Sequence, residues 1–124
     1  MTADVDALVH EYARRYSARE VDGVTDLCLW PLLAIRAGVA IHLADRAAVR
    51  DHFTAMIDAY QDAGYARFGA VAVDTHQLGE PSAFTTVRWH ALDQDGNVAR
   101  DTQTTYHLLA TPDGWRFLSY TNHF

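Results

Sequence analysis

The chain has 124 residues, 49% of them apolar and 21% charged, the composition of a folded globular protein rather than of a disordered or fibrous one. At this length one core buries roughly two-thirds of the surface that the unfolded chain exposes. The net charge is −6 and all ten basic residues are arginines scattered along the sequence, which argues against nucleic-acid binding and against adsorption to anionic membranes, since both draw on clustered cations.

No apolar run approaches the ~20 residues needed to span a bilayer. The first residues, MTADVDAL, carry acid where a secretory signal carries base, so a cytoplasmic protein is expected. Cys28 is the only cysteine. It forms no internal disulfide, and its surroundings, DLCLWP, offer no base to activate a thiol, so a small buried apolar side chain is expected there.

Val5, Leu8, Val9, Tyr12, Ala13 and Tyr16 recur at the spacing of one helical stripe and predict a helix over residues 3–18. Val21, Val24, Leu27 and Cys28 predict a second, shorter helix that stops near Trp30-Pro31, where proline disfavours helical backbone in the residue before it. Residues 32–36 and 39–43 read as a hairpin turned at Gly38. Asp45 then caps a helix over residues 46–63, with Val49, Phe53, Met56, Ile57 and Tyr60 on its inner stripe and Gly64 at its end.

From Ala66 onward the period changes to two. Gly79-Glu80-Pro81, Asp95-Gly96 and Asp113-Gly114 punctuate four strands, over residues 67–78, 82–93, 98–110 and 115–122. No linker, repeat or low-complexity segment interrupts the order, so residues 1–124 are taken as a single domain: α+β, with three helices and a short hairpin packed on a curved, mainly antiparallel sheet.

This order, with the helix ending EYARRYSARE, the short VDGVTDLC, the helix ADRAAVRDHFTAMI and the closing pair TTYHLLATPDGWRFLSYT, resembles the NTF2-like superfamily. Within it, the GWRFLSYT ending is similar to the last strand of SnoaL-like proteins. The resemblance covers essentially the whole chain and implies a cone-shaped pocket and a homodimer formed through the outer sheet face. In ketosteroid isomerase a tyrosine of the first helix helps to form an oxyanion hole, and Tyr12 matches it. The general base of that enzyme is an aspartate on the first hairpin, where this sequence has Ile35 or Arg36. The isomerase route is therefore not expected, and the carboxylate and arginine set of limonene epoxide hydrolase is not found either.

A two-residue loop at Asp95-Gly96 pairs His90 with Asp101 and Arg88 with Gln103, and sorts the sheet into two faces. One carries Thr85, Val87, Trp89, Thr102, Thr104, Tyr106 and Leu108, to which a turn at Asp113-Gly114 adds Phe117, Ser119 and Thr121. Being the more apolar, it is assigned to the helix-covered side, facing Tyr12, Tyr16, Met56 and Tyr60, with Trp30 closing one end. These side chains either line a pocket for an apolar small molecule or simply fill a core. The other face carries Phe84, Thr86, Arg88, His90, Asp101, Gln103, Thr105, His107, Leu118 and Tyr120. His90 oriented by Asp101 has the make-up of a general base, and polar cross-strand pairs equally stabilise a solvated sheet.

The spacing of the seven histidines contains neither His-x-His nor His-Glu-x-x-His, and no phosphate loop or serine-nucleophile motif occurs, so neither metal nor cofactor is expected. Two functions compete. The first is a small-molecule cone for an apolar ligand, with isomerase, cyclase, dehydratase or hydrolase chemistry and Tyr12, His90 and Asp101 as candidate catalytic residues. The second is a non-catalytic dimerisation or ligand-sensing module.

Overall fold

Helix and sheet divide the chain where its apolar period changes. The computed structural model describes residues 2–123, and Met1 and Phe124 lie outside it. Three helices, α1 (Thr2–Ser17), α2 (Val21–Thr25) and α3 (Arg46–Asp62), combine with six strands: β1 (Cys28–Arg36), β2 (Val39–Leu43), β3 (Arg67–Leu78), β4 (Ser82–Leu92), β5 (Val98–Thr111) and β6 (Gly114–His123). The strands make one sheet in the order β2-β1-β6-β5-β4-β3, antiparallel except where β1 lies beside β6. This is the α+β layout that the element order predicts.

The apolar stripes do what their spacing demands. Val5, Leu8, Val9, Tyr12, Ala13 and Tyr16 of α1 and Val49, Phe53 and Ile57 of α3 are all buried, against Val87, Trp89, Tyr106, Leu108 and Phe117 on the inner sheet face. Ser17 ties the end of α1 to β3, its hydroxyl accepting from the Phe68 N–H at 3.0 Å. Asp45 caps α3 as expected, its carboxylate accepting from the Ala48 N–H at 2.9 Å. Gly64, at φ +89°, takes the left-handed conformation that ends it. Among the described residues no helix is long and apolar enough to cross a membrane.

Three local expectations are corrected. The second helix ends at Thr25 rather than near Trp30, because the Leu27 carbonyl accepts from the Phe117 N–H at 2.9 Å and Cys28 already pairs with Phe117 in the sheet. Sheet hydrogen bonds there outrank helical spacing. The β4–β5 connection is not a two-residue turn. Asp93 closes it against Asn97, accepting from the Asp95 and Asn97 N–H groups, and a register shift follows between Ala91 and Leu92. That shift restores the expected pairs His90–Asp101 and Arg88–Gln103.

At the β5–β6 turn Thr111 pairs with Gly114, so the two turn residues are Pro112 and Asp113. The ladder then slips. Leu108 pairs with Phe117, but His107 pairs with Ser119, leaving Leu118 as an extra residue. A bulge reverses the alternation beyond it. Tyr120, expected on the outer face, therefore points inward and is buried, while Ser119 and Thr121 leave the inner face to which they had been assigned.

Removing the cap of α3 tests how far that helix depends on it. Asp45→Ala is expected to lower the unfolding free energy by about 1 kcal/mol, read from urea denaturation, and Asp45→Asn to restore most of the loss. Equal stability of all three proteins would show that tertiary packing alone starts the helix.

Candidate functional site

Between α1, α3 and the inner sheet face lies a cleft that opens to solvent. Tyr12, Tyr16, Met56, Tyr60, Trp89, Thr104 and Tyr106 line it, together with Arg36, Tyr65, Phe68, Arg100, Tyr120, Asn122 and His123. Trp30 does not. It is 43% exposed, because the register of β1 against β6 shifts between Cys28 and Leu33 and takes Trp30 out of the inward alternation.

The apolar part is an aromatic cluster centred on Tyr12, whose ring meets Phe117 at 4.8 Å, Tyr16 at 5.5 Å, Tyr106 at 5.9 Å and Trp89 at 6.0 Å between centroids. Two polar pairs of this part satisfy one another. Trp89 Nε1–H donates to the Tyr106 hydroxyl at 3.0 Å, and Thr104 donates to Asn122 Oδ1 at 3.0 Å. Burial raises the pKa of Tyr12, Tyr16 and Tyr106, so each stands in the cleft as a neutral phenol.

The other end is polar. The Arg36 guanidinium, at the end of β1, sits beside the hydroxyls of Tyr60 and Tyr120. Tyr120 in turn stands 2.6 Å from Nε2 of His52, which lies on α3 behind the cleft wall. Burial raises the Tyr120 pKa and Arg36 offsets part of that rise. Burial lowers the pKa of His52, and the nearby positive charge of Arg36 lowers it further. Among the described residues, no ion pair involves Arg36 and no carboxylate lines the cleft.

His90 and Asp101 are cross-strand partners, but on the face away from the cleft. Their closest approach, His90 Nε2 to Asp101 Oδ1, is 3.6 Å, too long for a hydrogen bond. The Asp101 carboxylate instead takes two bonds from Arg88, at 3.0 and 2.6 Å, which lower its pKa. The proposed orienting carboxylate is thus committed to a guanidinium, the better bidentate partner. Cys28 is buried and its thiol pKa is pushed up to about 12, consistent with an apolar filler.

The sequence matches the family described as NTF2-like protein (DUF6841) over residues 3–124. The chain belongs to this NTF2-like family. No curated protein matches it significantly. Among solved structures, an NTF2-like protein with a cystatin-like fold from Novosphingobium aromaticivorans superposes with a TM-score of 0.78 at 15% identity, covering 98% of this chain and 79% of that one. An NTF-2-like protein from Shewanella oneidensis gives 0.77 at 14% identity, covering 98% and 97%. A ketosteroid isomerase-like protein from Erwinia carotovora atroseptica gives 0.73 at 12% identity, covering 97% and 92%. At these identities the likeness establishes the cystatin-like fold and leaves the chemistry of the NTF2-like cleft to its own residues.

Arg36, Tyr120 and His52 were missed as a group by sequence reasoning. Arg36 shares the inward parity of Leu32 and Ala34 on β1, a usable signal, and His52 falls three residues after Val49 and four before Met56, on the flank of the α3 stripe. Only the Leu118 bulge, which leaves no mark in the apolar pattern, hides Tyr120.

His52 gives the NTF2-like domain a defined pH response. The charged and titratable groups facing it are Arg36 from β1 and Tyr120 from β6. The unfolded chain binds the His52 proton near the ordinary value of 6.5, and the folded chain only at lower pH. The unfolded state therefore holds more protons, and stability falls as pH drops below about 6.5. In urea denaturation across a pH series, His52→Gln is expected to flatten this acid-side slope. Parallel slopes in the two proteins would remove His52 from the account.

Proposed function

We propose that the cleft binds a small, mostly apolar molecule, most naturally a ring system, that carries one anionic or strongly polar group. The observation supporting this is the pairing of an aromatic wall around Tyr12, Trp89 and Tyr106 with Arg36, a partly buried cation that has no carboxylate partner among the described residues. Cations removed from water are stable when paired. Here the matching anion is supplied by the ligand, whose apolar body lies against the rings. Arg100 and His123 line the same cleft.

Ligand binding is the primary role in this reading. The hairpin position at which ketosteroid isomerase carries its aspartate is occupied here by Ile35 or Arg36, so a base of that kind is missing from the NTF2-like cleft.

Calorimetric titration with 2-naphthoate and with its neutral amide tests the proposal. The acid is expected to bind more tightly than the amide, and Arg36→Met to weaken the acid by about tenfold or more while barely changing the amide, as loss of one charge-assisted contact requires. Binding of neither probe, or an acid affinity unchanged by Arg36→Met, would overturn it.

A further inference from the structure

The Tyr120 hydroxyl has one proton to give and two lone pairs to fill. Its neighbours are the His52 Nε2 at 2.6 Å and the Arg36 guanidinium. Arg36 can only donate, so the Tyr120 oxygen beside it can serve it only as an acceptor. If Tyr120 gives its proton to His52, the second lone pair is left for a donor arriving from the cleft, which Tyr120 lines and His52 does not. The imidazole proton then sits on Nδ1.

We propose that Tyr120 and His52 make the polar end of the cleft a proton acceptor, so that a ligand with an acidic hydroxyl, a phenol or an enol, binds there as its anion beside Arg36. The ligand O–H bond breaks and its proton passes to the Tyr120 oxygen as the original Tyr120 proton passes to His52 Nε2. The products are a ligand oxyanion, a neutral Tyr120 and an imidazolium at His52, with no change in total charge and no redox step.

The device is coupled electrostatically. In the empty cleft Arg36 opposes a second positive charge at His52. An oxyanion arriving beside Arg36 offsets that charge and makes the imidazolium acceptable, so anion and proton are taken up together. This inference rests on the proposed ligand cleft and names its substrate class. It also separates two roles. Arg36 stabilises the anion, whereas Tyr120 and His52 decide where the ligand's proton goes.

The test uses 4-nitrophenol, whose neutral and ionised forms absorb differently, and 4-nitroanisole, which has the same ring but no proton to give. At a pH below the free probe's own pKa, wild-type protein is expected to show the phenolate band on binding. Titrations in two buffers of different ionisation enthalpy should show almost no proton released to solvent, and the ¹⁵N signals of the His52 ring should become those of an imidazolium. In the complexes that Tyr120→Phe and His52→Gln form with 4-nitrophenol, the bound phenolate-to-phenol ratio is expected to fall by about tenfold, one pKa unit.

A wild-type complex containing only neutral phenol overturns the relay. So does a phenolate band that persists undiminished in both variants with its proton released to buffer, because Arg36 alone then accounts for it. In either case binding of 4-nitroanisole leaves the cleft itself standing, whereas failure of both probes to bind removes cleft and relay together.

Discussion

Two breaks in strand register decide where the polar end of the cleft lies. In β6 the extra residue Leu118 turns Tyr120 inward, next to the aromatic cluster and His52. In β1 the offset against β6 changes between Cys28, which pairs with Phe117, and Leu33, which pairs with Ser119. Had the first offset continued, Arg36 would lie beyond the end of β6. With the shift, Ala34 stands opposite Tyr120 and Arg36 comes beside its hydroxyl. The juxtaposition of guanidinium and phenol is thus built by the sheet, with the imidazole added from α3, and regular elements hold such groups more accurately than loops do.

Around that end the protein separates two dielectric environments. The inner face is aromatic and the phenols of Tyr12, Tyr16 and Tyr106 are neutral, so a partly buried cation such as Arg36 acts there in surroundings less polar than water. The outer face carries Arg88, Asp101, Thr86, Thr105 and His107, which satisfy one another across strands or face solvent. A carboxylate on the outer face, half-exposed and held by Arg88, exerts little influence through the sheet. This is why the chemical-looking pair His90 and Asp101 loses to a quieter group inside.

The fold was legible because periodicity carries it. The stripes Val5 to Tyr16 and Val49 to Tyr60, the cap at Asp45 and the switch to period two after Ala66 are local patterns, and the described helices and strands follow them closely. The aromatic members of the cleft were legible for the same reason. Trp89, Thr104 and Tyr106 share a strand parity, and Tyr12 and Tyr16 share a helical stripe. Bulges are not local patterns. Their cost and benefit are settled by the neighbouring strand, so Tyr120 was placed on the wrong face, and the disturbed start of β1 put Trp30 outside the cleft. The β4–β5 register came out as expected although the loop did not, since a bulge at its base compensates for the longer turn.

Under the proposed function, the hairpin residue facing the cleft sets which protonation state of a ligand is favoured. A carboxylate at that position takes a proton from its ligand and leaves an anion that donors elsewhere must hold. Arg36 inverts this arrangement, because it holds the anion itself and can accept no proton. A neutral acceptor is then needed close by, but not so close that its own positive form is prohibitive. His52 meets that requirement, kept neutral by burial and by Arg36, and separated from the cleft by the width of one phenol. In the relay proposed above, a cation in place of the hairpin carboxylate goes with a base on α3 rather than on the hairpin, on an unchanged fold.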